Sequence, residues 1–243
     1  MKKVITTLLM ALTTLTAVHA SLKTDTFTTK SGKTVTITYI KHASIHIVYN
    51  GKQIQVDPVG DMVPITNYST FPKADIILVT HEHNDHFDRE AIGTLRKPST
   101  LIYVNQSIYN IFHNGITVEN GDSLDIEDDI QLVAVPAYNT TAGREQFHPK
   151  GRDNGYILIL DGLRIYIAGD TEDIPEMANI KDIDIAFLPC NQPYTMTVDQ
   201  LVKAAKTIKP KVLYPYHYTE NIVHQVALQL VGSGINVRIH DNK

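Results

Sequence analysis

Residues 34–40, Thr-Val-Thr-Ile-Thr-Tyr-Ile, alternate polar and apolar side chains and so predict a strand with one buried face. Two further apolar runs, residues 45–49 and 53–56, flank Asn50-Gly51, a dipeptide suited to the left-handed turn of a tight hairpin. The first layer is therefore expected to start as an antiparallel meander, with His42 and Asp57 at strand ends and His46 inside a strand as a satisfied or surface histidine. At residues 74–79 the pattern changes to a continuous apolar run, Ala-Asp-Ile-Ile-Leu-Val, which predicts a buried strand. That run stops at Thr80-His81-Glu82-His83-Asn84-Asp85-His86, and Asp88-Arg89-Glu90-Ala91 reads as the start of a helix.

Downstream, residues 101–104 and 130–136 predict strands and residues 107–112 a short helix. Residues 155–160 and 163–168 form a hairpin pattern over Asp161-Gly162, and residues 183–188 read as another buried strand. Thr197 with Gln200 three residues on is a capping-box pattern. Val198, Leu201, Val202, Ala205 and Ile208 then recur at helical spacing, Lys203 and Lys206 take the outer face, and Pro210 ends the helix. Residues 212–214 return as a strand towards His217, residues 222–230 as a last helix and residues 235–239 as a last strand. Strands and helices in this mixed order fit an α+β fold of two β-sheets packed face to face with helices outside.

Composition adds limits. Met1-Lys2-Lys3, an apolar stretch diluted by threonines, and Val18-His19-Ala20 before Ser21 form a secretory signal pattern. The apolar stretch is shorter than the ~20 residues a membrane span needs. Residues 1–20 are thus expected to be a signal peptide and residues 21–243 a single exported domain, periplasmic or secreted, with no membrane span after cleavage. Cleavage removes two of the 22 basic residues and none of the 26 acidic ones, leaving a net charge of −6, which argues against a nucleic-acid partner and for a small-molecule substrate. Cys190 is the sole cysteine, so no intramolecular disulfide can form, and it is read as a buried thiol. Oligomeric state is not legible.

The chemistry concentrates where the buried strand ends. Residues two apart in an extended chain point to the same side, so His81 and His83 can hold one ion together, while Asp85 and His86 can aim at a second beside it. Imidazole with carboxylate suits Zn, Mn or Fe.

This spacing resembles the His-x-His-x-Asp-His signature of the metallo-β-lactamase fold superfamily, and Gly169-Asp170-Thr171 and Pro215-Tyr216-His217-Tyr218 match its later elements in order. Lys41-His42-Ala43-Ser44 and Val56-Asp57-Pro58 are similar to elements of the branch containing L-ascorbate 6-phosphate lactonase and N-acyl phosphatidylethanolamine phospholipase D. The resemblance implies an αββα sandwich and two divalent ions, zinc before manganese or iron. One ion would lie on His81, His83 and a third histidine, the other on Asp85, His86 and His217, with Asp170 bridging.

The third histidine departs from the family pattern, because Pro136-Ala137-Tyr138 is followed by Asn139. His148 on the same loop is the replacement, against Asn139 or a vacant position; His113 is read as a surface residue. A hydroxide held between two ions would attack a phosphodiester, lactone or amide-type bond, with Asp85, Asp170 and His42 in catalytic roles. His42 and Asp57 would also fix ligand tautomers or help stabilise the leaving oxygen. The alternatives are a β-lactamase-like amide hydrolase, an iron-dependent oxidoreductase of the same fold, and a non-catalytic metal-binding protein. Residues 58–72, 137–154 and 189–196 are expected to line the mouth, with Tyr194 buried and packing its loop.

Overall fold

In the computed structural model, which describes residues 22–218 and 222–240, the alternating run at residues 34–40 forms the second strand and not the first. β1 (Thr24–Thr28), β2 (Thr34–Lys41), β3 (Ser44–Tyr49) and β4 (Lys52–Val56) pair antiparallel in succession. Asn50 and Gly51 take φ of 49° and 80°, the left-handed conformation that a two-residue hairpin needs. β5 (Ile76–Leu78), β6 (Leu101–Val104) and β7 (Ile116–Thr117) then join the same sheet in parallel. A parallel neighbour requires a crossover, and α1 (Arg89–Leu95) and α2 (Gln106–Phe112) supply two of them.

The second half repeats this plan. β8 (Ser123–Glu127), β9 (Ile130–Ala137), β10 (Asp153–Leu160) and β11 (Leu163–Ile167) pair antiparallel, and β12 (Ile185–Pro189), β13 (Val212–Tyr216) and β14 (Asn236–Val237) extend the sheet in parallel. Its crossovers include α3 (Val198–Ile208) and α4 (Val223–Gln229). The result is two seven-stranded sheets with the same internal order.

The continuous apolar runs are explained by burial on both faces. In β5, Ile76 and Leu78 enter the core between the sheets while Ile77 packs outward with Val79 against Ile92, Leu95 and Ile108. In β12, Ile185 and Phe187 face inward, and Ala186 and Leu188 meet Leu201 and Ala205 of α3. Three apolar layers therefore separate helices, sheet, sheet and helices, the αββα order. The capping box of α3 is present: Thr197 N–H donates to Gln200 Oε1 at 2.8 Å and Gln200 N–H to Thr197 Oγ1 at 3.1 Å. Lys203 and Lys206 are exposed.

The sandwich has two unlike rims. At one, turn residues tie the sheets directly, through Lys33 with Asp129, Lys52 with Glu127, and Asp161 with Thr29 and Ser31. At the other lie the ends of β4, β5, β9, β11 and β13, and there Gly169 comes against Thr80. A Cβ on Gly169 would lie 2.8 Å from Asn154 O and 3.4 Å from Thr80 Cβ, and its φ of +67° also favours glycine. The proposed leader at residues 1–20 lies outside the described residues, among which no helix is long and apolar enough to cross a membrane.

Candidate metal centre

Beyond β5 the chain doubles back, with the His86 and Phe87 N–H groups donating to His83 O at 2.9 and 2.8 Å. The side chains of that turn meet residues from the second half in two donor groups. His81, His83, His148 and Asp170 form one, and His42, Asp85, His86 and His217 the other, with the donor atoms of each group within 4.8 Å of one another. In the first group His81 Nε2 lies 3.0 Å from His83 Nδ1, and Asp170 Oδ2 lies 3.3 Å from His148 Nε2 and 3.9 Å from His81 Nε2. In the second, Asp85 Oδ2 is 3.2 Å from His217 Nε2 and 3.8 Å from His86 Nε2. Asp170 touches this group too, with Oδ1 3.2 Å from His86 Nε2 and Oδ2 3.1 Å from His217 Nε2.

Donors ~2.0–2.1 Å from one zinc in tetrahedral array are roughly 3.3 Å apart, the spacing seen here. His86 Nε2, His148 Nε2 and Asp170 Oδ1 are buried without hydrogen-bond partners. Buried polar atoms are ordinarily paired, so these converging orphans fit two divalent cations. Asp170, a member of the first group, also lies against the second.

Each of three imidazoles is oriented from behind. His86 Nδ1 lies 2.7 Å from Asp57 Oδ2, and Asp57 itself accepts from Thr80 N–H and Oγ1–H, both at 2.8 Å. The Thr80 hydroxyl gives its proton to Asp57 and can accept from His81 Nδ1, 3.1 Å away. Tyr194 O lies 3.1 Å from His148 Nδ1 and also accepts from Asn139 Nδ2 at 2.8 Å. Such partners fix the tautomer that leaves the other nitrogen free to bind a metal. Asn139 therefore holds the loop, its N–H donating to His148 O at 2.9 Å, while His148 joins the donor group. His42, Asp57 and His217 have φ of 44°, 42° and 50°, strain of about 1–3 kcal/mol each that the surrounding packing holds in place.

Electrostatics agree with a site built for positive charge. Burial opposes protonation of His86, but Asp170 and Asp57 outweigh it and raise the ring well above its ordinary range. His217 is likewise raised to about 9, with Asp170 overcoming burial. Burial also disfavours charge on Asp170 and Asp85, yet both carboxyls are pulled well below their usual range, Asp170 by the His217 and His86 charges and Asp85 by hydrogen bonds from His217 and His42. His42 is lowered to about 4 by burial and then by His217, so it is a neutral imidazole beside an ionised carboxylate, 3.1 Å away. His81 and His83 are lowered, first by burial and then by neighbouring histidines. Protons on His86 and His217 occupy nitrogens that could bind a cation, so cation uptake releases protons.

Other expectations fare unevenly. Tyr194 is not buried: it is 45 % exposed, its ring edge-on to Phe147 at 5.0 Å, and its backbone carbonyl rather than its phenol serves the site. Cys190 is buried and its thiol is pushed up to about 11 by burial. His46 is buried with Nε2 2.9 Å from Gln53 Oε1, and His113 is exposed at the end of α2. Loops 137–154 and 189–196 are joined through Arg144 with Gln192 as well as through Tyr194. Loop 58–72 is anchored by the buried Lys41, whose Nζ donates to Gly60, Met62 and Pro64 carbonyls. Sequence reasoning missed Thr80, although it directly precedes the first histidine, and Glu172, whose Oε2 accepts the Thr140 and Thr141 N–H groups at 2.8 and 2.7 Å.

Comparison with known proteins agrees with this geometry. A family model, the beta-lactamase superfamily domain, matches residues 36–217, a span that begins before His42 and ends on His217. A metal-dependent hydrolase of Pyrococcus furiosus is 32 % identical over 197 residues, covering 76 % of this chain and 84 % of the relative. A crystal structure described as a metal-dependent hydrolase of Parabacteroides distasonis is 53 % identical with a TM-score of 0.88, covering 92 % of this chain and 100 % of its own. A metallo hydrolase of Ignicoccus hospitalis is 25 % identical with a TM-score of 0.72, covering 85 % and 95 %.

Proposed function

Because the chain belongs to the beta-lactamase superfamily domain family, we propose that its hydrolysis runs at a two-ion centre bridged by Asp170. It is a metal-dependent hydrolase of the metallo-β-lactamase superfamily. The observation that carries the two-ion reading is the Asp170 carboxylate, within 3.3 Å of His148 in one donor group and 3.2 Å of His86 in the other. Two divalent ions, zinc before manganese or iron, would supply Lewis acidity and bring water near its deprotonation point at neutral pH.

The protein's own groups divide the remaining work. Asp85 is the most open of the site carboxylates, its side chain 37 % exposed, and it stays ionised at the mouth, where its charge can hold a cation or orient a water by accepting a hydrogen bond. Neutral His42 donates Nε2–H to Asp85 and fixes its orientation. Phosphodiester, lactone and amide-type bonds are the substrate classes. The lactonase and phospholipase-like branch is supported by the way its two elements meet: Ser44 Oγ donates to Asp57 O at 2.6 Å, His42 serves Asp85, and Asp57 serves His86. Export of the mature chain, to periplasm or medium, rests on residues 1–20, and N-terminal sequencing from the native host tests it.

The deciding experiment reconstitutes the protein with Zn, Mn or Fe and assays phosphodiester, lactone, N-acyl and β-lactam substrates alongside elemental analysis. Two equivalents of metal and metal-dependent turnover of one class are expected. Full activity in a natively folded, metal-free protein would overturn the proposal.

A further inference from the structure

His148 reaches the first donor group from the irregular segment between β9 and β10, where neither sheet nor helix fixes a side chain. Tyr194 O and Asn139 N–H hold His148 itself, and a guanidinium braces the segment that carries it. Arg152 Nε and Nη2 hold the Asp153 carboxylate at 2.7 and 2.8 Å, and Asp153 is fully buried at the first residue of β10, paired in register with Ala137 of β9. Thus anchored to the sheet, the same group reaches in two directions. Nη2 donates to Phe147 O at 2.8 Å, immediately before His148, and Nη1 lies 3.2 Å from Glu82 Oε1, between His81 and His83. The Arg152 carbonyl is held in turn by Asn105 Nδ2 at 3.0 Å, from the residue that caps α2.

We propose that Arg152 is a positioning residue for the first metal: it clamps the loop carrying His148 to the loop carrying His81 and His83, so that the three imidazoles converge on one ion. The inference rests on the two-ion reading above. It accounts for the displaced histidine, since a ligand on a long loop needs a brace that a ligand directly after a strand does not. A lysine cannot replace the clamp, because a single ammonium lacks the planar fork that engages three acceptors in fixed directions.

The test compares wild type, Arg152→Lys and Glu82→Ala. Arg152→Lys keeps a cation beside buried Asp153, and Glu82→Ala leaves the Arg152–Asp153 pair intact while cutting one arm. Each metal-free protein is titrated with Zn against a competing chelator, and each is loaded with Co(II) for its visible spectrum. Wild type is expected to bind two ions. Arg152→Lys should weaken one of them about tenfold to a hundredfold and change the Co(II) bands, leaving the other ion unaffected. Glu82→Ala should shift the same ion by less.

A folded Arg152→Lys with wild-type affinities and spectrum, even if its metal-free melting temperature falls, would show a merely structural role and overturn the proposal. Should that variant not fold, a wild-type result for Glu82→Ala overturns it alone. Fewer than two ions on wild type would instead sink the two-ion reading.

Discussion

His86 Nδ1 lies 2.7 Å from Asp57 Oδ2, with both side chains sealed from solvent. The contact spans the gap between an ordinary structural carboxylate and a metal ligand, because it fixes which nitrogen of His86 faces Asp170. Asp57→Asn sets an amide against the ring and weakens control of the tautomer. One ion should bind about 10–100-fold less tightly while the other is unchanged, as read by calorimetric titration. Equal affinities in variant and wild type would remove Asp57 from the metal site.

Residue 148 decides the ligand set. His148→Ala should leave the protein folded but with one equivalent of metal fewer and little turnover, since the imidazole has no substitute in the first group. Asn139→Ala should retain both ions with a modest loss of affinity, because it frees Tyr194 O, which orients His148. Elemental analysis of the two variants side by side separates these outcomes, and the reverse result would give the ligand role to Asn139.

Gly169 offers a test of how tightly the rim is closed. Alanine there must hold φ near +67° with its Cβ 2.8 Å from Asn154 O, so Gly169→Ala should cost about 1–3 kcal/mol in urea denaturation. It should also disturb Asp170, the next residue. A loss below about 0.5 kcal/mol would mean that the turn has slack.

Acid sensitivity should appear at the opposite rim. Hydrogen bonds from Ser31 and Thr29 lower Asp161 to about 2, below its ordinary value of 3.8. Between those values the unfolded chain binds the proton and the folded one does not, so stability rises with pH through this window. The advantage of wild type over Asp161→Asn should be fully present above about pH 4 and shrink as pH falls towards 2. Urea midpoints of the metal-free proteins at a series of pH values measure it, and a difference independent of pH would assign it to geometry and not charge.

Elements that bury apolar side chains on a clear period were legible in the sequence, and of the four strands at sheet edges only β14 was, within the strand expected at residues 235–239. β2 to β4 announced themselves through alternation and Asn50-Gly51, and α3 through Thr197 and Gln200. β1, β7 and β8 went unpredicted because edge strands bury little: every residue of β1 and β8 is half-buried or exposed, and both residues of β7 are exposed. The candidate donor groups were legible because metal chemistry restricts residue type and spacing. Their supports were harder to see, since Thr80, Arg152 and the Tyr194 carbonyl act through placement that only the closed sandwich creates. Tyr194 was misjudged for that reason, its function residing in a backbone atom any residue possesses.

The unlike rims give the sandwich a polarity in how it comes apart. His81, His83, Asp85 and His86 belong to the first half of the chain, and His148, Asp170 and His217 to the second, so cations bound by these groups would act as a clasp between two structural repeats. At the far rim the halves are stitched by ion pairs and hydrogen bonds that need no metal, through Lys33 with Asp129, Lys52 with Glu127, and Thr29 and Lys30 with Asp161. A chelator is therefore expected to loosen one end before the other, leaving the catalytic edge held only by cross-half hydrogen bonds such as His217 N–H to His42 O at 2.9 Å and Asn154 N–H to Thr80 O at 3.1 Å. Amide protons along β5 and β13 near that edge would then exchange before those beside the Asp161 turn, making metal loss a directional event within the fold.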